Sequence, residues 1–183
     1  MANIITTDNY LQNQKNFDSQ TVKTLTRLRE EFQLCSRDDD LIQIGCNFGL
    51  FSDHNIYNWK VTMVGPFNTP YKYGVFIIKI SFTNDYPNHG PLFRFMNKIY
   101  HLNVNPEDGM ISLNYLNEWH LTGKVTGKSV YTIKQALFDI FYLSYKQNPN
   151  NAFNKDMAYQ YIHERKKFDE EAKRWNEMYT KVE

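Results

Sequence analysis

The sequence predicts an α+β domain: an N-terminal helix, a four-stranded antiparallel meander sheet, a long loop, then C-terminal helices. Three observations predict it. Four short stretches between residues 42 and 95 carry an apolar residue at every second position, and turn-forming residues separate them. Stretches with apolar residues at every third or fourth position lie before residue 37 and after residue 129. Between strands and later helices, no period of either kind is visible.

Each element follows from its residues. Residues 1–18 are polar and aperiodic and are expected to form a flexible arm, leaving residues 19–183 as the domain. From Ser19 on, Val22, Leu25, Leu28 and Phe32 mark one helix face, and Lys23, Arg27, Arg29 and Glu30 the other. Arg37-Asp38-Asp39-Asp40 is expected to break that helix. The strands are expected at Ile42, Ile44, Cys46, Phe48; at Tyr57, Trp59, Val61, Met63; at Phe76, Ile78, Ile80, Phe82; and at Leu92-Phe93-Arg94-Phe95. Gly, Pro, Asn and Asp punctuate the gaps, as short turns require. Ser129 is expected to cap a helix bearing Ile133, Leu137, Ile140 and Phe141. Because Phe138, Tyr142 and Leu143 extend its apolar character nearly all round, deep burial is expected. Ala158, Tyr161 and Ile162 mark a short helix, and Phe168, Ala172, Trp175 and Tyr179 a last one.

Bulk properties bound the function. The chain has 183 residues, enough for one ordinary core, and its 42% hydrophobic and 16% aromatic content argues against disorder. A net charge of +1, from 21 basic and 20 acidic residues, points neither to nucleic acid nor to a membrane as partner. No apolar run approaches the roughly 18 residues of a spanning helix, and MANIITTDNYLQNQKNFDSQ lacks the order of a secretory signal. The only two cysteines, Cys35 and Cys46, make no CxxC, so neither a metal nor a disulfide framework is expected. No cofactor motif appears. A reducing location, cytoplasmic or nuclear, is the expectation.

The motifs are more specific. Gly65-Pro66-x-x-Thr69-Pro70-Tyr71-x-x-Gly74-x-Phe76 lies between strands two and three, followed by Tyr86-Pro87-x-x-x-Pro91. Then come Ile99-Tyr100-His101-x-Asn103, Gly109-x-Ile111-x-Leu113, Trp119, Asn148-Pro149 and the stretch from Phe168 to Tyr179. In this order and spacing they resemble the UBC core domain of ubiquitin-conjugating enzymes, the E2 family, over nearly the whole chain. The resemblance implies a UBC fold and a carrier that holds ubiquitin, or a ubiquitin-like protein, as a thioester on a cysteine. It implies an activating enzyme (E1) that loads the carrier through the first helix, and a ligase (E3) that docks on that helix and two loops.

Carried over residue by residue, the pattern keeps its frame and alters its working parts. His101 and Asn103 occupy the His-Pro-Asn motif, with Leu102 in place of the proline. Asn103 is implied to organise the site and stabilise the oxyanion, and His101 to support the loop. Ser112 stands at the thioester cysteine, and Asn151 at the carboxylate that orients the incoming lysine. Lys23 and Arg27 on the first helix, Asn88 in one loop, and Leu121 and Thr122 in another are the implied partner-binding positions. Asn88 sits where relatives often show an aromatic, Leu121-Thr122 where Pro-Ala is common.

Serine changes the chemistry. A thiol of pKa about 8.5 supplies a few per cent thiolate near neutrality, whereas an alcohol needs a neighbouring base to become a nucleophile. The sequence therefore implies an E2-like protein that does not turn over, through native loss or an engineered Cys→Ser change. Two alternatives stand beside it: a non-catalytic adaptor, like inactive E2 variants or RWD modules, that binds ubiquitin or an active E2; and a weaker one, a hydrolase using Ser112 with His101.

Overall fold

The computed structural model describes residues 18–52, 55–113, 119 and 132–180. The expected positions Leu121, Thr122 and Ser129, and the arm apart from Asp18, lie outside these residues. Helix α1 spans Ser19–Ser36, and Asp18 caps it, its side chain accepting from the Thr21 N–H at 2.9 Å. Thr24, Leu25, Leu28, Glu31 and Cys35 face inward, a helical spacing that admits two polar residues the apolar pattern does not single out.

The first helix ends at the run Arg37-Asp38-Asp39-Asp40, as expected, but a second short helix follows at once. Asp38 accepts from the Leu41 N–H at 3.1 Å and starts helix α2, Asp39–Gln43. Asp39 and Asp40 in its first turn suit the helix dipole. The expected first strand is therefore displaced: Ile42 is helical and 53% exposed, Gly45 turns the chain at φ +80°, and β1 begins only at Asn47. Alternation of Ile42, Ile44 and Cys46 is a coincidence that capping overrides.

Strands β1 (Asn47–Leu50), β2 (Asn58–Val64), β3 (Val75–Ser81) and β4 (Leu92–Phe95) form the expected antiparallel meander, in the order β1-β2-β3-β4. Val61 pairs with Ile78 and Ile78 with Phe95; Trp59 pairs with Ile80 and Ile80 with Phe93. These residues share the buried face, and Phe32 of α1 meets Trp59 edge-on at 5.1 Å. The turn between β2 and β3 explains its glycines. Gly65 N–H donates to the Gly74 carbonyl at 2.8 Å. A Cβ on Gly74 would sit 2.0 Å from Asn176 Oδ1 in the last helix.

Helix α3 (Ile133–Leu143) begins at Thr132, which accepts from the Gln135 N–H, not at Ser129. Ile133, Ala136, Leu137 and Ile140 are buried, yet Tyr142 is 59% exposed, so the all-round burial expected from composition is corrected to one inner face. Lys134 Nζ binds Asp38 at 2.8 Å and Asp40 at 2.7 Å, tying α3 to α2. A 3-10 turn at Pro149–Asn151 and helices α4 (Lys155–His163) and α5 (Arg165–Tyr179) complete the described chain. No helix among the described residues is long and apolar enough to cross a membrane.

After β4 the chain folds back on the sheet. Val104 bridges Ile111, Phe95 N–H donates to the Gly109 carbonyl at 2.9 Å, and Ile111 N–H donates to the Phe93 carbonyl at 3.0 Å. Gly109 has φ +74°, and a Cβ there would lie 2.0 Å from the Phe95 carbonyl oxygen. Gly109→Ala is expected to destabilise the protein by at least about 1–2 kcal/mol from the left-handed backbone alone. The clash adds to that, and urea unfolding measures the total.

Candidate functional site

The site is built where this returning loop meets the end of α3. Residues 100–103 are fixed at successive points. The Tyr71 hydroxyl donates to the Tyr100 carbonyl at 2.6 Å. His101 lies against the Tyr71 ring, centroids 5.7 Å apart. Asn103 N–H donates to His101 Nδ1 at 3.0 Å, which leaves the ring proton on Nε2, facing the Leu143 carbonyl at 3.2 Å. Burial pushes the His101 pKa down to about 4. The imidazole is thus neutral, and both its nitrogens are engaged.

Asn103 is fully buried and its carboxamide is committed to the segment after α3. Nδ2 donates to the carbonyls of Asn148 at 2.8 Å and Asn151 at 3.1 Å, and Oδ1 accepts from the Asn148 N–H at 2.8 Å. Both amide protons are bonded to backbone, so an oxyanion would have to compete for them. The Asn103 carbonyl accepts from the Ser112 N–H at 2.8 Å. The structure therefore brings His101, Asn103, Ser112 and the Asn151 backbone together. Ser112 is half-buried between buried Ile111 and Leu113.

The thiols lie elsewhere. Cys35 and Cys46, the only two in the chain, are both unpaired and buried. Burial, followed by the Glu31 and Asp38 carboxylates, pushes the Cys35 thiol up to about 12, and burial alone pushes Cys46 up to about 12. Cys46 lies just before β1 rather than within a strand. Neither is a usable nucleophile. Among the described residues, no three His, Cys, Asp or Glu side chains cluster as a metal site would require.

The positions expected to meet partners are organised separately. Thr24 Oγ1 on α1 lies 2.9 Å from the carbonyls of Asn84 and Tyr86, which seats α1 against the β3–β4 loop. This places exposed Lys23 and Asn88 on neighbouring elements. Arg27 is half-exposed, and its guanidinium is paired to the buried Glu31 carboxylate, which also accepts from the Tyr86 hydroxyl. Burial, then the Glu31 charge, holds the Tyr86 phenol far above its ordinary range. Asn88 donates to Asp85 at 3.0 Å; that bond and the His89 contact hold the Asp85 carboxyl below its usual value. Glu31→Leu, compared with Glu31→Gln, is expected to unfold more easily. Only Leu abolishes the acceptor for Tyr86, and an orphaned buried hydroxyl costs about 1–3 kcal/mol.

Sequence reasoning misses Glu31 and Gln147, the hubs of both networks. Glu31 has a signal: it falls at a helical step between Leu28 and Cys35, on the buried face. Gln147 has a subtler one, because Leu102, unlike the proline that the resemblance implies there, brings a backbone N–H that something must accept.

Known proteins share this fold. The family model for ubiquitin-conjugating enzymes matches residues 27–176. Ubiquitin conjugating enzyme E2 B of Dictyostelium discoideum is 33% identical over 129 residues, 70% of this chain and 82% of that protein. A crystal structure assigned as a ubiquitin conjugating enzyme of Plasmodium yoelii superposes with TM-score 0.74 at 28% identity, covering 88% of this chain and 97% of the other. The E2 domain of a Toxoplasma gondii ubiquitin conjugating enzyme gives 0.70 at 28%, covering 86% and 99%. With its meander sheet, its returning loop and a family match over most of its length, this chain belongs to the ubiquitin-conjugating enzyme family.

Proposed function

We propose that residues 19–183 act in ubiquitin or ubiquitin-like conjugation as an E2-family protein that binds the machinery without carrying a thioester. Ser112 takes the position of the acyl-accepting cysteine, by native loss or by an engineered change. The observation that carries this reading is the bond from Ser112 N–H to the Asn103 carbonyl, combined with the burial of both thiols in the chain. An oxygen ester, once formed, would also pass its acyl group to amines far more slowly than a thioester.

His101 cannot rescue the serine. A general base needs a free lone pair within reach, and His101 Nδ1 already accepts the Asn103 N–H while Nε2 faces Leu143. The hydrolase alternative has no support there. Asn103 is read as organising the loop, and Asn151 as a turn residue whose amide side chain cannot take a proton from an attacking lysine.

What remains for such a protein is binding. Ubiquitin or a ubiquitin-like protein, an activating enzyme and a ligase, or an active E2 in an adaptor arrangement, are the partners this reading assigns. Lys23, Arg27 and Asn88, with Leu121 and Thr122, form the docking positions. Two unpaired cysteines suit a reducing cytoplasm or nucleus. The test is direct: incubate the unaltered chain with activating enzyme, ATP and a panel of modifiers, then run gels with and without reductant and mild base. No covalent adduct is expected. An adduct stable to thiols but cleaved by base would show Ser112 accepting the acyl group, and the non-charging reading would fall.

A further inference from the structure

We propose that Gln147 is a positioning residue for the site loop, replacing by a hydrogen bond the rigidity that proline at position 102 would provide. The inference rests on loop geometry and stands whatever Ser112 does. Leu102 is fully buried, so its backbone N–H needs an acceptor inside the protein, because orphaned buried amides are rare and destabilising. A proline has no N–H and makes no such demand.

Gln147 meets the demand. Leu102 N–H donates to Gln147 Oε1 at 2.7 Å, and Gln147 Nε2 donates to the Tyr71 hydroxyl at 2.7 Å. The backbone N–H of Gln147 donates to the Tyr161 hydroxyl at 3.2 Å. At 4% exposure, Gln147 has little access to solvent. One residue therefore joins the β2–β3 turn through Tyr71, the site loop through Leu102, and α4 through Tyr161.

The consequence reaches the site through the next residue. Asn148 exchanges two bonds with the Asn103 carboxamide, so the placement of Gln147 sets the placement of Asn148, and with it the orientation of Asn103. On the other side, Phe153 N–H donates to the Leu102 carbonyl at 2.9 Å. Leu102 and Gln147 thus form a matched pair. Changing either one alone strands a buried polar group; changing both does not. The departure from the His-Pro-Asn pattern is fitted into the fold.

Four proteins test this: the unaltered chain, Gln147→Leu, Leu102→Pro and the double variant, compared by amide hydrogen exchange and urea unfolding. Gln147→Leu is expected to cut protection at the Leu102 and Asn148 amides by about tenfold or more, beyond any change in β2 and β3. It is also expected to shift the Asn103 side-chain amide resonances. Adding Leu102→Pro is expected to restore Asn148 protection and the unfolding midpoint, a non-additive outcome. Additive effects, or a loss spread evenly over the sheet amides, would overturn the proposal. Should Gln147→Leu not fold, Gln147→Glu retains the acceptor and is expected to keep Leu102 protected; exposure of that amide would overturn the proposal equally.

Discussion

The Ser112→Cys protein, mixed with activating enzyme, ATP and the appropriate modifier, is expected to gain an adduct that thiol reductants remove, where the unaltered chain gains none. The change is all-or-none because the two nucleophiles differ in kind. A thiol near pKa 8.5 has a standing thiolate population of a few per cent. The serine alcohol has none, and the His101 imidazole, with its pKa down at about 4 and both nitrogens engaged, cannot create one. Non-reducing electrophoresis with ubiquitin and ubiquitin-like proteins checks it. Failure of the Ser112→Cys protein with every modifier would mean that the loop no longer supports charging, leaving only the adaptor form of the function.

The second large effect is on stability in acid. His101 titrates at about 4 in the folded protein, against 6.5 for an exposed histidine, because burial penalises the imidazolium. Between those values the unfolded chain binds the proton and the folded chain does not, so stability rises with pH across the window. It is fully present above 6.5 and declines as pH falls toward 4. At about 1.4 kcal/mol per pH unit, the full decline is on the order of 3 kcal/mol. The carboxyls with depressed values, Asp18, Asp38, Asp85 and Glu171, add to the loss from about pH 5 downward, where the unfolded chain begins to take up their protons. Urea unfolding at pH 7, 5.5 and 4 should therefore show the loss, and His101→Asn should flatten the profile in that range while lowering stability at pH 7. A flat profile for the unaltered chain would mean that His101 is hydrated.

Much of this was legible in the sequence, for physical reasons that differ by element. Strands β2 and β3 announce themselves because one face is buried and the other is not, which writes a period of two into residues 58–64 and 75–81. Apolar alternation points to a strand from Ile42, but Asp38 caps a helix there, and a single side-chain bond outweighs three alternating apolar residues. Composition suggests burial all round α3, yet aromatic residues such as Tyr142 lie at the surface, packed against Phe138 and Tyr145. Within the site, the returning loop kept its order in sequence, so His101, Asn103 and Ser112 could be named. Their supporting hubs could not. Gln147 bonds Leu102 across 45 positions, and Glu31 bonds Tyr86 across 55. No local pattern encodes a partner at that distance.

One measurement reaches the central claim without any partner protein: intact-mass labelling with iodoacetamide under native conditions. The unaltered chain should take up no label until it is denatured, when Cys35 and Cys46 both react. The folded Ser112→Cys protein should take up one, at position 112. Rapid native labelling of Cys35 or Cys46 in the unaltered chain, or an unreactive thiol in the folded Ser112→Cys protein, would contradict it.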